Sequence, residues 1–482
     1  MIERHPRAAA SRDYDAIVVG GGIHGCMALL QAALAGRRVL LIERGDFGAE
    51  TSFNSLRIVH GGLRYLQSLD LPRFYESVAE RRWLLRAYPD LVKPLPCLMP
   101  LYSGLKRPAV LRAALAVNDA LSIHRNRGVR ADRRLPAGRT LTVAEVRRLC
   151  PFVRHDGLKG GALWYDACVP DSHRVVMETL RWAVAKGAVA LNYVEALGLG
   201  LEGNRVAAVE ACDRISGERH RFRAPIVINA AGPWSSELLE RFGEPAGTAS
   251  FSIAWNVLFD RPAGMEHALA LSPPWAGAQT YFMHPWKGRL LIGTGHRGWR
   301  QDGAALPTGP GDEALSEFLA DVNAAAPGLK LTNQDVARVF FGLLPSIEPG
   351  SARLSKRPEI IDHGSRGGSK GLFSMIGIKF TTARRTAART LSLSGLAGDL
   401  EPPWPAPLDG VGERGRSITR ETQLLPGDLD WVRELAQAES VCTVDDMVYR
   451  RLGLIHDSMA AERVAHLLRN SSEHGSGRAE CR

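Results

Sequence analysis

The sequence has 482 residues, of which 45% are hydrophobic, 23% are charged and 49 are glycine. This composition is typical of a folded protein and excludes the disordered and fibrous classes. At roughly one to two hundred residues per domain, about three domain-sized units are expected. The formal net charge is +10, which by itself fits nucleic acid, an anionic membrane or an acidic ligand as partner. Residues 104–154 hold twelve Lys or Arg and three acidic residues, so the positive charge is concentrated locally.

The seven cysteines form no CxxC pair and no Cys/His cluster. Neither a disulfide framework nor a metal site is therefore predicted, which favours a reducing compartment. Residues 1–15 contain three Arg and several acids without an apolar core, so no signal peptide is predicted. No later stretch reaches the roughly 18 apolar residues of a membrane-spanning helix. We therefore expect a cytoplasmic protein that does not cross a membrane.

A short apolar run, Asp15–Val19, precedes a glycine-rich turn and an apolar helical stretch. The turn has GxGxxG spacing. Gly20 permits a tight turn, Gly22 lets the backbone approach a pyrophosphate, and Gly25 allows the helix to pack closely on the strand. The turn residues that we assign to cofactor binding are Gly20, Gly22, Ile23, His24 and Gly25. Strand, turn and helix in this order predict a dinucleotide site.

The next apolar run, Arg38–Ile42, is followed by Glu43 and Arg44. A carboxylate at the end of the second strand of such a unit accepts hydrogen bonds from ribose hydroxyls. We therefore assign Glu43 and Arg44 to cofactor binding as well.

The segment Thr51–Tyr65 reads TSFNSLRIVHGGLRY and combines small residues, hydroxyls and an HGGLRY string. Here the sequence resembles the FAD-dependent glycerol-3-phosphate dehydrogenases, within the wider group of D-amino-acid oxidase-like flavoproteins. Small and hydroxyl-bearing residues let a chain segment run against a pyrophosphate and a flavin ring. A structural role is the alternative for His60. The cofactor residues implied by the resemblance in this segment are Thr51, Ser52, Ser55, His60, Gly61 and Gly62.

The resemblance extends over about four fifths of the chain. Ala224–Trp234 (APIVINAAGPW) resembles the family's second FAD-contacting strand and turn, and Gly371–Arg384 resembles the segment that returns to the flavin. The further cofactor residues that it implies are Ala231, Gly232, Trp234, Gly377, Lys379, Phe380 and Thr381.

The resemblance implies an α/β fold with an FAD-binding Rossmann-like domain, a mostly antiparallel substrate domain and a small C-terminal helical domain. Glu401–Gly415 is rich in Pro and Gly and is predicted to be a linker. The predicted segments are 12–80, 155–235 and 335–392 for the FAD-binding domain, 81–154 and 236–334 for the substrate domain, 416–470 for the helical domain, and 471–482 for a disordered tail.

Flavoenzymes of this group must orient a substrate and accept its proton. In the resembled enzymes arginines hold a substrate phosphate, because the guanidinium fork matches phosphate oxygens. His296 is a further candidate base beside His284, and for both histidines a structural role is the alternative. The catalytic residues that we assign are Arg64, Tyr65, Arg357, Lys379 and His284.

Three positions depart from the family's pattern. Leu344 stands where the family has a phosphate-binding arginine, and Asn256 stands where it has a histidine. Ile378 replaces the second glycine before the lysine. A lost charge-assisted hydrogen bond weakens binding by roughly ten- to a hundredfold. We therefore hypothesise that glycerol 3-phosphate is a poor substrate or not the natural one.

The basic segment, residues 104–154, contains an amphipathic stretch, 106–123, that begins with the cations Lys106 and Arg107. Such a helix can lie on anionic lipid, and the resemblance implies a membrane-facing role where a quinone accepts electrons. The alternative is a helix packed on the protein with a solvated basic face. Aromatic residues do not alternate with the basic ones, so nucleic-acid binding is not expected. We therefore predict a peripheral contact of 104–154 with the inner face of the cytoplasmic membrane.

Together these features predict an FAD-dependent oxidoreductase that oxidises a small anionic alcohol, phosphorylated or carboxylated, by hydride transfer to flavin N5, with a quinone or O2 as electron acceptor. One alternative is an amine or 2-hydroxy-acid oxidase that uses O2. Another is a non-catalytic flavin-binding protein, since two candidate functional side chains are missing.

Overall fold

The computed structural model describes residues 1–102, 108–245, 250–300, 307–397 and 429–473. Its strands, in chain order, are β1 (Ala16–Val19), β2 (Val39–Ile42), β3 (Ile58–Val59), β4 (Lys93–Leu101), β5 (Arg139–Leu141), β6 (Gly160–Cys168), β7 (Val189–Leu191), β8 (Val194–Glu202), β9 (Arg205–Asp213), β10 (Arg219–Arg223), β11 (Val227–Asn229), β12 (Ser250–Pro262), β13 (Ala268–Leu271), β14 (Tyr281–Trp286), β15 (Arg289–Gly298), β16 (Val336–Ser346), β17 (Glu359–Asp362) and β18 (Leu372–Ile376). Its α-helices are α1 (Pro6–Ala10), α2 (Ile23–Leu34), α3 (Leu63–Gln67), α4 (Leu71–Ala87), α5 (Pro108–Leu121), α6 (Val143–Leu149), α7 (Ser172–Ala185), α8 (Ser235–Arg241), α9 (Asp312–Ala325), α10 (Ala383–Leu393), α11 (Leu429–Ala438) and α12 (Ser458–Glu473).

The chain divides into two compact units, each built from separate segments. Unit 1 comprises Met1–Phe53, Asp171–Ser250 and Ser355–Arg482, and unit 2 comprises Asn54–Pro170 and Phe251–Leu354. Segments 54–80, 155–170 and 335–354, which the sequence groups with the FAD-binding domain, cluster with unit 2, whereas 236–250 clusters with unit 1. The functional assignment of these segments stays a prediction.

Unit 1 contains a mostly parallel sheet. Within the described residues, six strands pair in the order β17-β18-β11-β1-β2-β7, and only the β17–β18 pair is antiparallel. All four residues of β1 are buried, as expected for a strand covered on both faces. The apolar helix α2 packs against α7 and α10. Strands β8, β9 and β10 form a separate antiparallel sheet.

The C-terminal helices α11 and α12 share a small apolar core and are tied to the rest of unit 1 by buried ion pairs. Arg451 donates to both carboxylate oxygens of Asp46 at 2.6 and 2.9 Å. Arg174 donates to both oxygens of Glu439 at 3.0 and 2.6 Å. Burial alone would raise the pKa of Asp46, but the charges of Arg451 and Arg450 hold it well below its usual value. Each carboxylate therefore remains a charged, paired anchor.

Unit 2 is organised around a mostly antiparallel sheet. Among the described residues its strand order is β16-β12-β15-β14-β13-β4-β6-β3, and β5 pairs with β6. Strands β4 and β13 pair in parallel. Helix α5 buries Leu111 and Leu115 against the apolar face of this sheet.

The predicted α/β fold class, with a Rossmann-like part and a mostly antiparallel part, is confirmed. Helix α12 continues to Glu473, three residues into the predicted tail. The rest of that tail, the linker Glu401–Gly415, and Lys106 and Arg107 lie outside the described residues. In the part of the chain that the structure describes, no helix is both long and apolar enough to span a membrane.

Candidate active site

Three turns of unit 1 meet at one edge of its parallel sheet. Strands β1, β11 and β18 pair in parallel, so their carboxyl ends lie at the same edge. The segments that follow these strands contain, in order, the GxGxxG turn, Ala231–Trp234 and Gly377–Thr381. Ligands of open α/β sheets bind at such an edge. The fold thus gathers most of the predicted cofactor residues.

The glycine positions of the first turn are set by the backbone around them. Gly20 has φ +114°, and a Cβ added there would lie 2.6 Å from the carbonyl oxygen of Ala230. At Gly25 an added Cβ would lie 2.0 Å from the carbonyl oxygen of Gly20. By contrast, the nearest atom to a Cβ at Gly22 is Ser52 Oγ, at 3.3 Å. Gly22 therefore presents backbone on the less crowded side of the turn, where a pyrophosphate can approach.

Glu43 follows β2 and lies beside this turn. Its carboxylate accepts hydrogen bonds from the N–H groups of Gly21 at 2.6 Å and Gly45 at 2.8 Å. Burial raises the pKa of Glu43, and these two bonds oppose that effect. Two carboxylate oxygens offer about four acceptor positions, so capacity remains for ribose hydroxyls. The adjacent Arg44 lies over the ring of Trp234, with 4.6 Å between its Cζ and the ring centroid.

The open glycine, the helix N-terminus and the carboxylate supply the donor and acceptor set of an adenine dinucleotide, so the residues of unit 1 fit FAD. Ser52 Oγ accepts from the N–H of Ile23 at 2.9 Å, which fixes the start of α2. The remaining residues of unit 1 assigned from sequence are Gly232, Phe380 and Thr381, which lie at these turns, Thr51, which precedes Ser52, and Lys379 and Arg357, which are exposed.

In unit 2, His60 is paired with a buried carboxylate. Its Nδ1 lies 3.2 Å from Asp166 Oδ2, and about half of its side chain is exposed. Asp166 also accepts from the N–H of Gly61 at 2.7 Å and from Arg81 at 2.8 Å. Burial alone would raise the pKa of Asp166, but the His60 hydrogen bond, the Arg81 charge and the Gly61 N–H hold it below its usual value. Asp166 is therefore an ionised partner that orients His60.

Arg81 also explains Gly61. A Cβ added to Gly61 would lie 1.9 Å from Arg81 Nη1, so the guanidinium occupies the space beside this glycine. Gly62 has φ +91° and caps the start of α3. Neither Asp166 nor Arg81 is among the residues assigned from sequence. The available signals were an acid within Tyr165–Asp171 (YDACVPD) and an arginine on α4.

The other residues of unit 2 assigned from sequence are Ser55, Arg64, Tyr65 and His284. Ser55 Oγ accepts from the N–H of Arg57 at 3.4 Å. Arg64 is exposed on α3, and Arg73 lies over the Tyr65 ring at 4.7 Å from its centroid. Within the described ranges, Arg64 makes no ion pair. It is therefore available to an anion.

His284 has both ring nitrogens beside carbonyl oxygens, with Nδ1 at 3.0 Å from Pro285 O and Nε2 at 2.8 Å from Leu56 O. Burial lowers its pKa to about 4. This arrangement favours a structural role, and its assignment as a base stays a prediction. Burial and the nearby charge of Arg64 likewise lower the pKa of His296 to about 4.

The two departures in unit 2, Asn256 and Leu344, are uncharged side chains. Asn256 donates from Nδ2 to Asn54 O at 3.0 Å, whereas its buried Oδ1 has no hydrogen-bond partner among the described residues. A Cβ at Gly293 would lie 2.0 Å from that Oδ1, so the amide packs against β15. Leu344 lies on β16. Neither position supplies a charge.

The sequence pattern of the FAD dependent oxidoreductases (DAO) matches residues 15–389. The chain belongs to this family. It is an FAD-dependent oxidoreductase, and the enzyme class and cofactor predicted from sequence are confirmed.

Similar proteins agree with this membership. Glycerol-3-phosphate dehydrogenase of Synechocystis sp. is 34% identical over 420 residues, which cover 83% of this chain and 73% of that protein. Glycerol-3-phosphate dehydrogenase 1 of Mycobacterium tuberculosis is 32% identical over 423 residues, covering 83% and 79%. The crystal structure of glycerol-3-phosphate dehydrogenase from Bacillus halodurans, complexed with FAD, has the same fold, with a TM-score of 0.70 at 22% identity, and the match covers 97% of this chain and 92% of that one. The resemblance stated from sequence is confirmed.

Proposed function

We propose that this FAD-dependent oxidoreductase oxidises a small anionic alcohol that carries a phosphate or a carboxylate. The names of the similar dehydrogenases support a phosphorylated polyol as the substrate class. The observation that carries the proposal is the pairing of a half-exposed His60 with the ionised Asp166. This is the arrangement of a general base, because the carboxylate orients the ring that accepts the proton.

The chemistry follows from this pair. A carboxylate at Nδ1 favours the tautomer that carries its proton on Nδ1, which leaves the Nε2 lone pair of His60 as the acceptor. Oxidation of an alcohol removes the hydroxyl proton and a hydride from the carbon, and the C–O bond becomes a double bond. Bound FAD supplies the acceptor for that hydride. Nε2 of His60 takes the hydroxyl proton, and Asp166 stabilises the imidazolium that results.

Arg64 and Arg357 are proposed to bind the substrate anion, and Lys379 to support flavin or substrate. Both arginines are exposed, and neither forms an ion pair within the described part of the chain, which supports this role. Leu344 and Asn256 add no charge. The loss of one guanidinium that binds the phosphate weakens substrate binding by roughly ten- to a hundredfold. Glycerol 3-phosphate is therefore proposed to be a poor substrate.

A substrate panel tests this proposal. Phosphorylated polyols, 2-hydroxy acids and amines are mixed anaerobically with the FAD-loaded enzyme, and bleaching of the flavin is followed. An anionic alcohol should bleach it fastest. His60→Gln should slow that reduction about 10²- to 10⁴-fold, whereas the exposed His124→Gln serves as the matched control. Fast bleaching by amines alone would overturn the proposal, and turnover of glycerol 3-phosphate at ordinary enzyme rates would overturn its poor-substrate part.

The electron acceptor is proposed to be a quinone, with O2 as the alternative. Hydrogen peroxide measured during aerobic turnover separates the two, because an oxidase releases one equivalent for each substrate oxidised. No accumulation of peroxide, together with reoxidation by a soluble quinone, supports the dehydrogenase.

Together with the quinone acceptor, we propose a peripheral membrane contact through residues 104–154. Helix α5 buries Leu111 and Leu115 inward, leaves Val110 43% and Val117 50% exposed on one side, and exposes Arg112 on another side. A helix that exposes both apolar and cationic side chains can bind anionic lipid. Co-sedimentation with phosphatidylglycerol vesicles should fall in Val117→Ser and in Arg112→Glu, and absence of binding by the unmodified protein would remove the proposal.

A further inference from the structure

His24 and Gly377 come from distant parts of unit 1 and are packed directly against each other. His24 is the second residue of α2, and Gly377 follows β18. A Cβ added to Gly377 would lie 1.8 Å from His24 Nε2 and 2.2 Å from its Cδ2 and Cε1. Real Cβ atoms essentially never approach another atom within 3.0 Å. The imidazole edge therefore fills the space that any side chain at position 377 would need.

The histidine ring is unusual in its hydrogen bonding. Its Nε2 is buried and has no partner within the described residues, although the side chain as a whole is partly exposed. Burial lowers the pKa of His24 to about 4, so the ring is neutral near pH 7. An unpaired buried nitrogen is unfavourable, and an apolar side chain of similar size would avoid that penalty. Simple space filling does not account for a histidine here.

The position of the pair relates this ring to the cofactor. The turn that holds His24 and the segment that begins at Gly377 lie at the carboxyl edge of the parallel sheet, where the residues fit FAD. We propose that His24 is a positioning residue that sets the distance between the GxGxxG turn and the segment 377–379, and with it the conformation of bound flavin. Gly377 is glycine because His24 occupies its side-chain space.

A double-mutant cycle tests this contact between His24 and Gly377. The protein is titrated with FAD in the absence of substrate, so the outcome does not depend on the proposed substrate. Gly377→Ala, His24→Ala and the double variant are compared by the Kd for FAD and by the visible absorption spectrum of bound flavin. Gly377→Ala alone should weaken FAD binding by about tenfold or more. His24→Ala alone should change the shape of the flavin bands with a few-fold weaker Kd. The double variant should bind FAD more tightly than Gly377→Ala alone, because the clash is gone.

Gly198→Ala provides the control, since no atom lies within 4 Å of an added Cβ there. Its effect should add to that of His24→Ala without coupling. If Gly377→Ala fails to fold, the double variant should restore soluble protein that binds FAD. Purely additive losses in the double variant, a double variant that stays unfolded while His24→Ala folds, or an unchanged flavin spectrum in His24→Ala would each overturn the proposal.

Discussion

The two glycine-containing turns of this enzyme, one in each unit, require glycine for different reasons. In the GxGxxG turn the obstacle is backbone, since a Cβ at Gly25 would lie 2.0 Å from the carbonyl oxygen of Gly20. In the turn formed by His60, Gly61 and Gly62, here called the HGG turn, the obstacle is the end of a long side chain. A Cβ at Gly61 would meet the guanidinium of Arg81. A carbonyl fixed by the fold does not move, whereas a guanidinium swings away at the expense of its bond to Asp166. The conformation of the first turn is therefore fixed by neighbouring backbone. The space beside the second turn is filled by a side chain that the ion pair between Arg81 and Asp166 holds in place.

Gly25→Ala should show the largest effect, because the strand-to-helix turn must open to admit the methyl group. We expect FAD binding to weaken by about a hundredfold or more, with a clear fall in Tm. Fluorescence titration with FAD and thermal unfolding measure the two changes. Gly198→Ala, where a Cβ has open space, is the control and should leave both unchanged. Near-normal FAD affinity in Gly25→Ala would show that the carbonyl of Gly20 does not prevent a side chain at position 25.

The same difference explains what the sequence could predict. The turn at Gly20, its flanking strands and Glu43 are close in sequence, so spacing alone reveals the dinucleotide site. Strand order at the sheet edge follows from the parallel Rossmann-like pattern. The resemblance adds the segment at Gly377, which spacing alone does not connect to the turn.

The HGG turn was less predictable because its supports lie far along the chain. Asp166 is 106 residues from His60 and reaches it through the antiparallel pairing of β3 with β6. The register in which β3 pairs with β6 depends on tertiary packing, so it cannot be predicted from a local sequence pattern. The contact of His24 with Gly377 and the contact of His284 Nε2 with Leu56 O also join residues that lie far apart in the sequence.

Gly61→Ala should show an intermediate effect, since Arg81 moves off Asp166 and weakens the alignment of His60. One charge-assisted hydrogen bond contributes about 1.5 to 3 kcal/mol, which corresponds to roughly ten- to a hundredfold if it is fully lost. We expect the rate of flavin reduction by substrate to fall by a larger factor than the affinity for FAD. Stopped-flow reduction and FAD titration distinguish these quantities.

Arg81→Met is the companion to Gly61→Ala, because it removes the guanidinium that the alanine methyl group would displace, without adding a methyl group at Gly61. Both variants should slow reduction to a similar extent. A large loss in Gly61→Ala combined with a normal rate in Arg81→Met would mean that the backbone, and not the ion pair, controls this turn. The two turns would then be limited in the same way.

The smallest effect concerns pH and the two carboxylates that serve these turns. Burial raises the pKa of Glu43 above its usual 4.5, whereas the hydrogen bond from His60 and the charge of Arg81 hold the pKa of Asp166 below its usual 3.8. As pH falls from 7 towards 4.5, Glu43 therefore gains a proton first and loses acceptor capacity for ribose, while Asp166 remains ionised. FAD affinity should fall roughly three- to tenfold in this range, the size of one neutral hydrogen bond. In Glu43→Gln the Kd should be weaker at pH 7 and should lose this acid dependence, since no proton is gained at that position. An acid dependence that persists in Glu43→Gln would place the titrating group elsewhere and remove this contrast between the two turns.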